Sequence, residues 1–302
     1  MTFALIFSGQ GNQHAAMVPW LANDERVAEM RARLGVNDWR RSLADPAWAA
    51  NNANAQTLLT GLSLAAWGQL APMVPAPAVV AGYSVGELAA FSAAGVFDSA
   101  TATDLAPLRA AAMDSSASRM PGGMLAITGL AQRALEGILA DTGLSIAIRN
   151  GFESVVLGGP MAALEQAQRI AAAEGAQCTR LKVNVASHTP WMRDAAKRFA
   201  QTLAEVPFHP PRVVLFSNAA DRVHSAGAAR SALAAQIAQT VRWDECMENI
   251  AARQVRCVLE IGPGQALTRM WSQRHPHIPA RACDDFRSAA AVAKWLRAHA
   301  DP

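Results

Sequence analysis

Ser84 stands at the centre of Gly82-Tyr83-Ser84-Val85-Gly86, between the apolar run Val79-Val80-Ala81 and an alanine-rich stretch that follows Glu87. A serine becomes a useful nucleophile only when a base takes its proton and fixed donors hold the charge developing on the attacked carbonyl. A Gly-x-Ser-x-Gly pentad between a strand and a helix supplies part of this. The glycines permit a sharp turn, and the first N–H groups of the helix face the serine oxygen. The same pentad also fits an ordinary glycine-rich strand-to-helix connection. The base must come from seven histidines, His14, His188, His209, His224, His275, His277 and His299. His209 is flanked by prolines, His275 and His277 surround Pro276, and His299 lies in the C-terminal tail. His188, in Ala186-Ser187-His188-Thr189-Pro190, falls where a strand gives way to a helix, because Pro190 suits a first helical turn. It is the best candidate base, although a histidine at such a junction also serves structural roles. Arg109 is an isolated cation in an apolar, alanine-rich stretch, and taken alone it reads equally as a snorkelling surface residue.

The elements that must position these residues follow from hydrophobic period and breakers. Thr2 to Phe7 reads as a buried strand, followed by the loop Gln10-Gly11-Asn12-Gln13 and a helix from near Ala15. Residues 24–48 read as broken helix, Asn54 to Leu70 as a strong helix, and Pro72, Pro75 and Pro77 punctuate the approach to the Ser84 strand. Gly95-Val96-Phe97-Asp98 stops the next helix, and another runs from Thr101 to Ser116. Strands over Met124–Thr128, Leu144–Arg149, Ser154–Leu157 and Gln177–Val183 alternate with helices over Ala131–Asp141 and Met161–Glu174. That β-α-β-β-α-β order is the ferredoxin-like signature and reads as an insert. A helix from Pro190 to Ala204, a strand over Val213–Ser217, mostly helix over 228–254 and a strand over Val255–Ile261, ended by Gly262-Pro263-Gly264, follow. The chain closes with helix, strand and helix.

The composition of the 302 residues, 51% hydrophobic and 17% charged, is that of a globular chain with a large core. A formal net charge of +3, dispersed along the sequence, argues against nucleic-acid binding while suiting an acidic partner or an anionic substrate. Cys178, Cys246, Cys257 and Cys283 form no C-x-x-C pair and no metal spacing, so free thiols in a reducing cytosol are expected. No basic leader precedes the first strand, and no run of about 20 apolar residues lacks breakers. A cytoplasmic protein without a membrane span is the expectation.

Four separated motifs then coincide in order: Phe7-Ser8-Gly9-Gln10-Gly11-Asn12-Gln13, Gly82-Tyr83-Ser84-Val85-Gly86-Glu87, Val185-Ala186-Ser187-His188 and Glu260-Ile261-Gly262-Pro263-Gly264. With them the sequence resembles the malonyl-CoA:acyl carrier protein transacylase family over nearly its whole length. The resemblance implies an α/β fold: a large α/β-hydrolase-like subdomain with a mostly parallel sheet (1–119 and 188–302) and an inserted ferredoxin-like small subdomain (120–187). It implies ping-pong transfer of a malonyl group from malonyl-CoA to the phosphopantetheine thiol of an acyl carrier protein, by a monomer with no bound metal or redox cofactor. Ser84 would be the nucleophile, His188 the base, and the backbone carbonyl of Gln236 the group that orients it. The backbone N–H groups of Gln10 and Val85 would form the oxyanion hole, and Arg109 would fork onto the free malonyl carboxylate. Met113, Gln56, Asn150 and Ser187 match pocket positions.

The sequence departs from the family's usual pattern at Tyr83, where histidine is common, at Ser8, where proline is common, and at Leu88, where an aromatic is common. The Val-Ala-Ser-His ending leaves malonyl against methylmalonyl open. These departures suggest a specialised member, such as the malonyl-transferring subunit of malonate decarboxylase or an acyltransferase serving an assembly line. An acyl hydrolase on the same scaffold and a catalytically silent docking partner are the competing readings; Arg109 speaks against the first, and intact Ser84, His188 and Arg109 against the second. Arg180, Lys182, Arg193, Lys197 and Arg198 cluster around His188 in sequence, either as a docking surface for an acidic carrier or as a solvated helix face.

Overall fold

Strand β1 (Phe3–Phe7) is apolar at every position and buried at every position, the pattern of a strand covered on both faces. The computed structural model describes residues 2–181 and 183–300. A loop leads from β1 to the helices α1 (Glu25–Leu34), α2 (Trp39–Ser42), α3 (Pro46–Ala50) and α4 (Asn52–Leu70). Each starts on a short polar side chain, Asp24, Asp38, Asp45 and Asn51, that accepts a backbone N–H of the first turn. Then come β2 (Val79–Gly82), α5 (Gly86–Ala93) and α6 (Ser99–Ala117), the last capped by Asp98. The middle of the chain forms β3 (Gly123–Thr128), α7 (Gln132–Thr142), β4 (Ser145–Gly151), β5 (Ser154–Gly159), α8 (Met161–Ala173) and β6 (Gln177–Arg180). A short 3-10 turn at Pro190–Met192 enters α9 (Arg193–Ala204), followed by β7 (Val214–Phe216), β8 (Arg222–Val223), α10 (Ala226–Ala235), β9 (Val241–Arg242) and α11 (Trp243–Ala251). β10 (Cys257–Ile261), α12 (Ala266–Arg274), β11 (Ala280–Ala282) and α13 (Ala289–Ala300) complete it.

Six strands form one sheet in the order β11-β10-β1-β2-β7-β8, parallel except for the β7–β8 pair. Register decides what this sheet presents. Phe7 pairs with both Ile261 and Gly82, and Ala81 pairs with Phe216. The segments starting at Ser8, Tyr83, Ser217 and Gly262 therefore leave the same carboxyl edge, where open α/β sheets place their sites. Two sequence-distant motifs and the Ser84 pentad meet there.

A second sheet has the order β6-β3-β5-β4-β9, antiparallel except where β4 pairs with β9. Its first four strands and α7 and α8 follow the expected β-α-β-β-α-β order. The period-2 alternation of strands divides the core. Phe3, Leu5 and Phe7 join the helical cluster with Leu58, Leu62, Leu88 and Phe91, whereas Ala4 and Ile6 face Met124, Ile148, Val156 and Trp243 of the second-sheet side. The two sheets thus share an apolar cluster, and each large side chain buried there contributes roughly 1.5–3 kcal/mol relative to exposure.

The helix expected from near Ala15 does not form; the first helix begins at Glu25. The carbonyls of Ala15, Met17 and Val18 accept from the Arg40 guanidinium, and Val18 N–H donates to Asp284 Oδ1 at 2.6 Å. These tertiary bonds take the backbone groups a helix would have used. The strand expected over Gln177–Val183 ends at Arg180, and Lys182 lies outside the described residues. The stretch 228–254 is broken by β9, which leaves the helical run to pair with β4. No helix among the described residues is long and apolar enough to cross a membrane.

Candidate active site

Ser84 adopts φ +56°, a left-handed conformation unfavourable for a residue with a side chain. The turn has to be this tight, because a Cβ on Gly82 would overlap the Gly86–Glu87 peptide, and one on Gly86 would overlap the Phe7 carbonyl. Both glycines of the pentad are thus required by close backbone approach, which favours the elbow reading over an ordinary connection. Asn218, wholly buried just beyond β7, braces the strained turn from the neighbouring strand. Its Oδ1 accepts Ser84 N–H at 2.8 Å, and its Nδ2 donates to the Gly82 carbonyl at 2.7 Å. In the sequence, the only signal for Asn218 is a polar Ser217-Asn218 pair at the carboxyl end of a strand.

Ser84 Oγ lies 2.7 Å from His188 Nε2, and His188 Nδ1 lies 2.7 Å from the Gln236 backbone oxygen. A carbonyl only accepts, so Nδ1 carries the proton and neutral Nε2 is left to accept from the serine hydroxyl. His188 also has a positive φ, +62°, and its N–H donates to the Ile237 carbonyl at 2.9 Å. The segment after α10 therefore holds both the backbone and the ring of His188. Burial, helped by the nearby Arg109 charge and opposed by the Gln236 carbonyl, pushes the imidazole down to about 3.

Val85 precedes α5 and Gln10 follows β1 by three residues, so both flank the elbow. Gly9 lies against the Tyr83 ring and carbonyl, which places the Gln10 loop beside Ser84. Among the described residues neither the Val85 nor the Gln10 N–H donates to a protein acceptor. The Gln10 loop is anchored through Ser8, whose Oγ donates to buried Glu260 at 2.8 Å; Glu260 also accepts Thr268 N–H at 2.8 Å. Ser8 in place of a more usual proline thus ties the first motif to the last.

Arg109, 1% exposed, donates from Nη1 to Gln56 Oε1 and from Nη2 to Gln236 Oε1, each at 2.8 Å, with Met113 Sδ 3.3 Å from Nη1. Its Nε finds no partner among the described residues. Desolvation lowers the guanidinium to about 10, which leaves it charged at neutral pH, and the Glu87 carboxylate opposes that shift. Glu87 is itself pushed up to about 7 by burial. The snorkelling alternative for Arg109 is thereby removed. Asn150, on β4, accepts from the Tyr83 hydroxyl at 3.0 Å, and the Tyr83 ring meets Trp243 edge-on with centroids 5.4 Å apart. Ser187 is half-buried beside His188 in the chain. The structure thus gathers Ser84, His188, Gln236, Arg109, Gln56 and Met113 into one bonded cluster, with Asn150 joined to it through Tyr83.

Of the basic residues around His188, Arg193 and Lys197 are exposed on α9, Arg198 donates to Ser115 Oγ and Arg180 pairs with Glu165. Among the described residues no group of His, Cys, Asp and Glu side chains is arranged to hold a metal ion. A cleft of about 810 Å³ at the far end of α5, lined by Arg26, Trp67, Phe97 and Arg212 among others, shares no residue with the Ser84 cluster.

The acyl transferase domain model matches residues 45–302. The malonyl CoA-acyl carrier protein transacylase of Escherichia coli (strain K12) is 33% identical, over 96% of this chain and 98% of its own. This chain belongs to the malonyl-CoA:acyl carrier protein transacylase family. The crystal structure of an acyl-carrier-protein S-malonyltransferase from Burkholderia pseudomallei 1710b superposes with a TM-score of 0.89 at 30% identity, covering 97% of this chain and 100% of that one. A malonyl-transacylase solved in complex with a type II PKS acyl-carrier protein gives a TM-score of 0.89 at 31% identity, covering 97% and 99%. The likeness spans both sheets, so the family assignment and the mixed α/β fold rest on the whole chain and not on the pentad alone.

Proposed function

We propose that this protein transfers a malonyl group from malonyl-CoA to the phosphopantetheine thiol of an acyl carrier protein through an acyl-Ser84 intermediate. The single observation that carries the reading is a buried Arg109 with an unpartnered Nε, hydrogen-bonded to the Gln236 end of an aligned Ser84–His188–Gln236 line. An enzyme for simple acyl groups has no use for a buried guanidinium; one for a dicarboxylic acyl group does.

Ser84 Oγ attacks the thioester carbonyl as its proton passes to His188 Nε2, and the Gln236 carbonyl steadies the imidazolium through Nδ1–H. The tetrahedral oxyanion takes hydrogen bonds from the Val85 and Gln10 N–H groups, each worth about 3 kcal/mol in the transition state. Collapse breaks the C–S bond, and His188 returns the proton to the CoA thiolate. The carrier thiol then repeats the sequence in reverse, with His188 as its base. Arg109 pairs the free carboxylate, with Gln56, Met113, Asn150 and Ser187 lining the acyl site. We assign the Ser84, His188, Arg109 and Gln236 machinery to a large subdomain (1–119 and 188–302), and Asn150 and Ser187 to a small one (120–187). We further propose that the protein acts as a cytoplasmic monomer with no resident metal or redox group.

Arg109→Ala is expected to lower malonyl loading by roughly 100-fold and acetyl loading far less, since a desolvated charged hydrogen bond contributes about 3 kcal/mol. Rapid-quench loading with malonyl-CoA and acetyl-CoA checks this, and equal loss for both would make Arg109 structural.

The depressed His188 value fixes the sign of the acid response. A base must be neutral to act, and a folded-state value near 3 keeps it neutral well below the ordinary imidazole range. Ser84 acylation by acetyl-CoA, which has no free carboxylate for Arg109 to hold, is therefore expected to show no acid limb centred on pH ~6.5. A rate that halves near that pH, measured by quenched single turnover, would contradict the burial argument.

A further inference from the structure

Glu87, Arg109 and Gln236 are all buried within reach of Ser84, yet proton transfer accounts only for the Gln236 backbone. A carboxylate and a guanidinium left together in a dry site ordinarily close into a direct, forked pair. Among the described residues Glu87 and Arg109 form no such pair: Arg109 donates to Gln56, Met113 and Gln236, and Glu87 accepts from Asn218 and Gln236. The Gln236 side-chain amide lies between them. Its Nε2 donates to Glu87 Oε2 at 3.1 Å, and its Oε1 accepts from Arg109 Nη2 at 2.8 Å. The other Glu87 oxygen accepts the Asn218 N–H, so the carboxylate cannot turn away. The same Nε2 also donates to the Ser84 carbonyl at 2.6 Å. The amide orientation is therefore fixed at both ends: nitrogen toward the carboxylate and the nucleophile backbone, oxygen toward the guanidinium.

We propose that Glu87 and the Gln236 side chain are positioning residues for acyl selection, a counter-charge held at one amide's distance from Arg109. This deepens, and rests on, the malonyl-transfer reading. A direct Glu87–Arg109 fork would neutralise the guanidinium and occupy the donors an incoming carboxylate needs. With no counter-charge at all, a bare guanidinium would be costly to keep buried. The interposed amide meets both demands: it carries no charge, and its dipole is favourable to both neighbours. The Arg109 Nε and the second hydrogen of Nη2 remain for the acyl carboxylate, while Nη1 donates to Gln56 and lies against Met113 Sδ. Because the Gln236 carbonyl holds His188 and its amide holds Ser84 and Arg109, one residue ties acyl recognition to the base and the nucleophile.

The test is quenched single-turnover loading of the full chain with malonyl-CoA and with acetyl-CoA, read by intact mass, for wild type, Gln236→Met, Glu87→Gln and Arg109→Ala. Gln236→Met keeps the backbone carbonyl and a similar volume but removes the spacer. Malonyl loading is expected to fall roughly 30-fold and acetyl loading far less, so that the malonyl-to-acetyl ratio drops about tenfold. Glu87→Gln cannot accept from both Asn218 and Gln236, which frees the amide to rotate, and the ratio is expected to drop in the same direction. If Gln236→Met does not fold, as judged by circular dichroism, Glu87→Gln alone decides. A wild-type ratio in either folded variant, or equal loss for both acyl groups, overturns the proposal. Failure of the underlying reading is separate: wild type that loads neither acyl group sinks the transfer mechanism, and an unchanged ratio in Arg109→Ala sinks the carboxylate clamp.

Discussion

Replacing Ser84 by alanine is expected to abolish acyl-enzyme formation, a loss on the order of 10⁶-fold, about 8 kcal/mol of barrier. The size follows from geometry. Ser84 is the only hydroxyl bonded to His188 Nε2 among the described residues, at 2.7 Å. Of the two hydroxyls flanking His188, Thr189 donates to the Ala186 carbonyl at 2.5 Å and is wholly buried, and Ser187 makes no hydrogen bond to the ring among the described residues. Neither is aligned to take over the attack. The elbow itself should survive, because Asn218 and the Gln236 amide bind the Ser84 backbone and not its hydroxyl. Intact mass after mixing with malonyl-CoA, alongside a thermal melt, separates loss of chemistry from loss of fold. An adduct that persists on folded Ser84→Ala would require another nucleophile.

Replacing His188 by alanine is expected to slow Ser84 acylation by on the order of 10⁴-fold, the upper range for general-base catalysis. Its Nδ1–H is held by Gln236 and its backbone by Ile237, so the ring is fixed before substrate arrives. A base aligned in advance loses little to reorganisation, and its removal costs nearly all that it supplied. The oxyanion donors remain in the variant, and residual acylation above that of water is expected from them. Stopped-flow release of CoA measures the loss. A change of less than tenfold would mean that another group takes the proton.

Sequence carried much of this account because its chemistry is local. The pentad glycines lie two positions either side of Ser84, and the strand–helix–strand rhythm of 123–180 spans only near neighbours. His188 could be chosen among seven histidines because a strand end and a proline bracket it. The Ser84–Gln236, Glu87–Asn218 and Arg109–Gln236 contacts join residues more than a hundred positions apart and leave no periodic trace. Asn218 and the Gln236 side chain were accordingly invisible, although the Gln236 carbonyl was expected from family resemblance. The failed helix near Ala15 has the same cause: Arg40 and Asp284, both distant in sequence, take its backbone groups. Tyr83 shows the reverse. The residue was conspicuous as a departure from the usual histidine, but its partners, Asn150 and Trp243 on the second-sheet side, became known only in three dimensions.

The most direct test of malonyl transfer is a two-step intact-mass experiment on the wild-type chain. The protein is mixed briefly with malonyl-CoA, freed of excess reagent, and then given a carrier protein bearing phosphopantetheine. The account predicts a malonyl adduct on the Ser84 peptide after the first step, and its loss with matching gain on the carrier thiol after the second. Free malonate with an unmodified carrier, or no adduct at Ser84 at all, would contradict it.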